Sequence, residues 1–274
     1  MYSRVYVEIT NICNMNCSFC HGHHRAHRQM TEAEYAHILG QLEGKTQYIY
    51  HHLMGEPLVH PLLPRFVEMA CQAGFRPMIT TNGTLLDSRG EALLGKGLHK
   101  VNISLHSFEG DSPETHRRYM EKIADFAGKA TGDGTIVSLR LWNNGCDGGR
   151  NDTALTCLRE LLPGQWTENT RGYRIREGLF LEWGDRFAWP DLTADDYGPQ
   201  VACYGLRDHF GILCDGTVVP CCLDSEGGIA LGNVFSEALT DILSAPRALA
   251  MAEGFRCRKA TEELCRRCGY AQRF

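Results

Sequence analysis

Three cysteines fall within eight positions of the chain, in the order Cys13-Asn-Met-Asn-Cys17-Ser-Phe-Cys20. Three thiolates on so short a loop can hold three irons of a cubane and leave a fourth iron open to an outside ligand. Iron–sulfur sites held by protein alone normally take four cysteines. A zinc site completed by His21 or His23 is the simpler alternative. A second group, Cys203, Cys214, Cys221, Cys222, Cys257, Cys265 and Cys268, crowds the last quarter, and only Cys71, Cys146 and Cys157 lie between. The total of 13 cysteines is odd, so complete internal pairing is impossible. Clustered cysteines in a large chain without an export signal point to metal binding or catalysis rather than to a disulfide framework.

The rest of the composition narrows the class. With 274 residues, 43% hydrophobic and 22% charged, the chain can bury an ordinary globular core. A net charge of -5 is too mild for a nucleic-acid footprint or a membrane-surface patch. No apolar run approaches the roughly 18 residues of a membrane span, and a carboxylate at Glu8 interrupts the start. The expectation is a cytoplasmic protein with neither nucleic acid nor membrane as partner.

Something must position the first cysteines, and the pattern around them alternates strand and helix. Val5–Ile12 reads as a strand, and Thr31 and Glu34 have capping-box spacing before Tyr35, Ile38, Leu39 and Leu42 at helical period. Strands at Gln47–Leu53, Pro77–Thr81, Val101–Leu105, Ile136–Leu141 and Tyr173–Trp183 follow. Between them read helices at Leu62–Gln72, around Glu91–Leu94, at Glu114–Ala127 and at Ala154–Leu162. Six such steps predict an α/β fold, a partial (β/α)6 barrel of the TIM type over residues 1–195, with a small cysteine-rich domain over 196–274. Chemistry in parallel α/β sheets sits at the C-terminal strand ends. The candidates there are the Cys13–Cys20 loop, Gly55-Glu56, Thr81-Asn82, His106-Ser107, Trp142-Asn143 and Glu182-Trp183. Strand alternation also sends one of His51 and His52 into the barrel, and Arg140 is placed to bind a carboxylate there.

The triplet, with Phe19 before its last cysteine, resembles the signature of the radical S-adenosylmethionine superfamily. Met54-Gly55-Glu56-Pro57 resembles the element that family members use on the methionine amino group. Thr81-Asn82-Gly83 and Ser104-Leu105-His106 resemble those near the methionine carboxylate and the ribose, with His106 standing where many relatives carry Asp. The resemblance implies a 4Fe–4S cluster on Cys13, Cys17 and Cys20 whose open iron chelates S-adenosylmethionine, and an external reductant such as flavodoxin or ferredoxin. Reductive cleavage then gives a 5′-deoxyadenosyl radical that abstracts hydrogen from a substrate; the cofactors carry the chemistry and the protein positions it. Weighed against it, a non-catalytic electron carrier would need no strand-end elements for a methionine head.

In the tail, Phe210 to Cys222 reads as a hairpin with an Asp215-Gly216 turn, followed by a helix at Ser236–Phe255 and the Cys265-Arg-Arg-Cys268 pair. This resembles the abbreviated SPASM tail called a twitch domain, with spacing nearest the 2-deoxy-scyllo-inosamine dehydrogenase type. It implies one auxiliary 4Fe–4S cluster on Cys203, Cys221, Cys265 and Cys268. Cys222, next to a ligand on a strand, is expected to point away, while Cys214 and Cys257 are alternates. Cys71 and Cys157 read as small core residues. The His21, His23, His24 and His27 stretch with Arg25 and Arg28 reads as a solvated basic loop or a lid.

The function expected is dehydrogenation of a small polar molecule such as a sugar, cyclitol or nucleoside, with the auxiliary cluster as electron acceptor. The first strand begins at residue 5, which leaves no room before it for a leader-binding domain, so a peptide substrate is the second choice. His52, His106 or Glu182 would take the proton. Epimerisation, with Cys146 returning hydrogen as a thiol, is the runner-up.

Overall fold

The computed structural model of the chain describes residues 1–109 and 112–273. It is an α/β protein built on a single sheet of 11 strands. The central six are parallel: β1 (Arg4–Val7), β2 (Tyr48–Tyr50), β3 (Arg76–Thr81), β4 (Lys100–Ser104), β5 (Ile136–Asn144) and, after a hairpin, β8 (Leu179–Asp185). Helices α1 (Glu32–Leu42), α2 (Leu63–Gln72), α3 (Pro113–Gly132) and α4 (Arg150–Leu161) connect them. Short turns at Leu86–Gly90 and Glu91–Leu93 replace a helix between β3 and β4. Six parallel strands make an incomplete barrel of the TIM type, as the alternating pattern predicts.

Local chemistry explains the elements. Thr31 and Glu34 form the reciprocal capping box, and Tyr35, Ile38, Leu39 and Leu42 are the buried face of α1. Each parallel strand is apolar on the side toward the helices: Val5, Val7, Ile49, Ile79, Val101 and Ile103 are fully buried. The barrel is a sheet with a greasy outside and a polar inside.

Two expectations are corrected. The stretch Tyr173–Trp183 is not one strand; Glu177-Gly178 turns the chain, with Gly178 at φ +71, and β7 (Gly172–Arg176) runs antiparallel to β8. The hairpin continues into the edge strand β6 (Thr167–Asn169). A two-residue turn needing a positive φ fits glycine. The helix expected over Ser236–Phe255 is also two, α5 (Leu239–Ser244) and α6 (Pro246–Arg256). Pro246 forces Ala245 into an extended conformation, so the first helix ends there and the next begins on the proline.

The tail joins the same sheet. β9 (His209–Ile212) pairs in parallel with the free edge of β1, β10 (Thr217–Val219) returns antiparallel through the Asp215-Gly216 turn, and β11 (Gly232–Asn233) closes that edge. The last short helix, α7 (Glu263–Arg266), carries Cys265. Among the described residues no helix is long and apolar enough to cross a membrane.

Candidate active site

The loop that carries Cys13, Cys17 and Cys20 is bound on every side to strand ends. The Glu56 amide donates to the Ile12 carbonyl at 2.9 Å, and the Asn82 side chain donates to Asn14 at 3.0 Å. The Ser18 amide and hydroxyl both bond Glu109, while Trp189 donates to the Phe19 carbonyl. Cys17 Sγ lies 3.7 Å from the Ser107 carbonyl. The three thiols interact electrostatically: burial pushes the Cys17 thiol up to about 11, and Cys13 and Cys20 add to it. Three thiols on one loop, two of them (Cys13 and Cys17) held back from ionising chiefly by burial, fit a cationic iron cluster that would hold them as thiolates.

Gly55 and Glu56 are fixed by the same loop. A Cβ on Gly55 would fall 2.4 Å from the Thr10 carbonyl, and φ there is +74, so only glycine passes under the loop. Glu56 is buried; its carboxylate accepts from the amides of Leu58 at 3.0 Å and Asn82 at 2.7 Å. Burial raises its pKa to about 7 against those hydrogen bonds. It thus ties the second and third strand ends together. Asn82 also accepts from Thr84. Thr81 turns toward the outer side, where its hydroxyl accepts from the Gly83 amide at 3.0 Å.

One pair here escaped the sequence reading. Glu8 is fully buried and takes both arms of Arg25, at 2.6 and 2.8 Å. Its two oxygens also accept the amides of Met54 and Cys214, each at 3.1 Å, and Arg25 Nε donates to the Ser225 carbonyl at 2.7 Å. One ion pair therefore joins β1, the cysteine loop, the Gly55-Glu56 turn and the tail hairpin. Arg28 bonds the Cys214 carbonyl, and His24 bonds Glu226 at 2.8 Å through its amide. The basic loop expected to be solvated or a lid is instead docked on the tail, because a buried carboxylate at Glu8 requires a partner. Glu8→Leu should cost about 3–5 kcal/mol by leaving Arg25 buried without its anion, and adding Arg25→Met should recover most of the loss. Thermal melts of both variants read this; a single variant as stable as the parent would remove the pair from the stability of the site.

In the tail, Cys203, Cys221, Cys265 and Cys268 line one cavity, with Pro190, Val201, Pro220, Ile229, Phe255 and Leu264 completing its apolar wall. Burial and the neighbouring thiols raise Cys221 and Cys265 well above the ordinary cysteine range. Four thiols around one apolar cavity fit a cubane. Among the described residues no three His, Cys, Asp or Glu converge on a single ion. Cys222 lies in the turn after β10 rather than on a strand, and packs away from the cavity against Leu53, Leu213 and Val219, where burial lifts its thiol to about 11 and Tyr6 hydrogen-bonds it. Cys214 is buried beside Glu8 and Arg25, and Cys257 is exposed next to Glu253. Cys157 is buried as expected, but Cys71 is exposed, with its sulfur beside Gly97. Cys146 is exposed in the turn after β5.

The remaining strand-end residues divide by orientation. His106 packs on Phe19 with ring centres 4.9 Å apart and planes tilted by 43°, and its Nδ1 faces the Arg140 carbonyl at 3.1 Å and the Trp142 amide at 3.3 Å. Ser104, Arg140 and Glu182 lie side by side on the inner face. Glu182 sits 3.6 Å from both Lys100 and Arg140; burial opposes its ionisation, and the two cations still hold its pKa below the usual range. Burial lowers His52, also inward, to about 3 and leaves it neutral.

Residues 7–128 match the family model of the radical SAM superfamily, and residues 203–269 that of the SPASM iron–sulfur cluster-binding domain. The GTP 3′,8-cyclase of Chlorobaculum tepidum is 33% identical over 126 residues, 44% of this chain and 38% of that protein. An S-adenosylmethionine-dependent nucleotide dehydratase of Selenomonas ruminantium is 33% identical over 89 residues, 31% of this chain and 32% of its own length. The matched stretch thus spans under half of these relatives. The fold extends further. BtrN in complex with AdoMet and 2-DOIA superposes with a TM-score of 0.64 at 18% identity, over 98% of this chain and 93% of that one. SuiB of Streptococcus suis bound to S-adenosylmethionine gives 0.60 at 14% identity, over 99% of this chain and 70% of that one. With one family model over the barrel and another over the tail, and with thiols gathered where each would need iron, this chain carries a radical SAM domain and a C-terminal SPASM iron–sulfur cluster-binding domain, which fit S-adenosylmethionine and two 4Fe–4S clusters.

Proposed function

We propose that the chain dehydrogenates a small polar molecule, with residues 1–195 forming the radical-generating barrel and 196–274 the auxiliary-cluster domain. Cys13, Cys17 and Cys20 would hold the first cluster, and Cys203, Cys221, Cys265 and Cys268 the second. Bound, the first cluster with S-adenosylmethionine supplies a 5′-deoxyadenosyl radical that takes hydrogen from the substrate, and the second supplies a one-electron acceptor. An external reductant of the flavodoxin or ferredoxin class would deliver the first electron. The observation that carries the reading is the tail cavity: four thiols line it, so each iron of a cubane held there would have a protein ligand and none would be left for substrate.

The chain's own residues do the rest. Gly55, Glu56 and Asn82, bound to the cysteine loop, would set the methionine end of the cofactor, with Phe19 and Ser104 around it. Glu182 faces inward as an ionised carboxylate and would accept the proton that leaves with the second electron. His52 is inward and neutral, while His106 is engaged with the β5 backbone, which favours Glu182 among the three. Two relatives are named for GTP and for a nucleotide, which supports a small molecule; SuiB has also been solved with precursor peptide SuiA, so a peptide is the competing class.

Once a turned-over substrate has been found by screening for 5′-deoxyadenosine release, deuterated substrate decides the reaction. Dehydrogenation should give one 5′-deoxyadenosine per product, carrying the deuterium, and a product two hydrogens short. A product of unchanged mass that takes one deuterium from heavy water would replace this reading with epimerisation, with Cys146 as the first thiol to test.

A further inference from the structure

The inner side of the barrel sheet is largely polar, interrupted by Met78 and Phe180, and register fixes its polar members: Arg4 lies beside His209, Asn102 beside Ser138, and Arg140 between Ser104 and Glu182. Closed barrels of this type fill their interior with layers of Val, Ile and Leu. Here six buried polar atoms on this side have no hydrogen-bond partner: Arg4 Nε, His52 Nδ1, Asn102 Oδ1, Ser138 Oγ, Arg140 Nε and His209 Nδ1. Buried polar atoms in folded proteins are nearly always paired, so a concentration of them marks a surface made for a polar ligand.

The charges are unbalanced as well. Lys100 and Arg140 share one carboxylate, Glu182, which leaves an excess of one positive charge between them, and Arg4 adds another on the same face beside Tyr6 and Tyr50; Glu8, the other acid at this end of β1, is already taken by Arg25. His52 and His209 add none, since burial lowers them to about 3 and about 4.

Arg140 is the best-placed cation. Its guanidinium lies 4.4 Å over the Trp142 ring, so one flat face is covered, while the edge at Nε is buried without a hydrogen-bond partner. Nε is 3.6 Å from Glu182, beyond hydrogen-bond reach. That edge, Nε with one Nη, is the one that grips carboxylate or phosphate oxygens in pairs. The side chains of Arg140, Glu182 and Lys100 keep 15%, 19% and 20% of their exposure, so solvent reaches them. The Arg140 backbone also touches His106, which packs on Phe19 of the cysteine loop.

We propose that this inner face binds the substrate through an oxyanion, a carboxylate or phosphate on a small hydroxyl-bearing molecule, held by the edge of Arg140 with Lys100 in support. His52, Ser138 and Asn102 then supply partners for hydroxyl groups. The inference rests on the reading that the substrate enters the barrel, and it adds the sign of its charge.

The experiment uses the full cluster-loaded chain, with inorganic phosphate and acetate as probes in anaerobic titration calorimetry. At least one probe should bind. Arg140→Gln should weaken it tenfold or more, and Glu182→Gln should tighten it threefold or more by removing the competing carboxylate. A purely structural Arg140–Glu182 pair would not give opposite signs. Should Arg140→Gln fail to fold, Lys100→Gln and Glu182→Gln still read the site. S-adenosylmethionine affinity, measured separately, should stay within twofold in each variant. The probe that responds assigns the source: phosphate alone a phosphorylated substrate, acetate alone a carboxylic acid. Equal binding to parent and Arg140→Gln, or loss of S-adenosylmethionine binding with phosphate binding kept, would overturn the proposal. A parent that cleaves S-adenosylmethionine but binds neither probe overturns this inference alone, whereas one that cannot cleave it overturns the function on which the inference rests.

Discussion

Protein with Cys13, Cys17 and Cys20 all replaced by alanine should carry about four irons per chain where the parent carries about eight, and should release no 5′-deoxyadenosine. The loop is built from outside itself: Asn82, Glu109, Trp189 and the Glu56 amide hold it through Asn14, Ser18, Phe19 and Ile12. None of those contacts uses a thiol, so the loop should keep its place when the thiols go. Loss of activity would then report loss of the iron alone. Iron analysis and chromatography of the reaction check both halves. Cleavage at parental rate, or zinc in place of iron in the parent, would remove the first cluster from the mechanism.

Replacing Cys265 and Cys268 with serine should cost the other four irons and loosen the tail as well. The pair sits in and just after the short α7, and the cavity it lines is walled by Val201, Pro220, Ile229, Phe255 and Leu264. Ligation energy at such a site is also folding energy, on the order of 10 kcal/mol for structural metal sites in small domains. Protease digestion of the reduced, reconstituted variant should cut between residues 190 and 270, where the parent resists. Cys222→Ser should leave iron at the parental level, since that thiol faces Tyr6 and not the cavity. Iron lost in Cys222→Ser but kept in Cys221→Ser would shift the ligand register by one residue.

What the sequence shows well is whatever depends on short spacing. The cysteine triplet, the Thr31–Glu34 capping box and the Asp215-Gly216 turn are each written within a few residues, and each is present in the structure. Strand ends were harder. β1 is shorter than its apolar run because residues 8–12 leave the ladder to bond Arg25, Arg28 and the Glu56 amide. Glu177-Gly178 looked like part of a strand since the apolar pattern resumes on both sides; the turn shows only in Gly178's positive φ. The Glu8–Arg25 pair was out of reach for another reason. A charge inside a strand says that a partner exists, but its other contacts, Cys214 and Ser225, lie far along the chain. Likewise His106 looked like a base at a strand end, and only the pairing of β4 with β5 shows its ring nitrogen engaged by the next strand's backbone.

The parallel pairing of β1 with β9 bears on how the protein is made. Ser3 and Asp208, bonded beside that seam, are 205 residues apart. At the usual 5–20 residues per second of synthesis, roughly 10–40 s separate the emergence of the two strands. Through that interval β1 has one open edge, the kind of surface on which chains stick together, and the basic loop has no tail to grip. Contacts of such sequence separation also form late in folding. β1 therefore waits on β9, some 200 residues later, before its second edge is sealed.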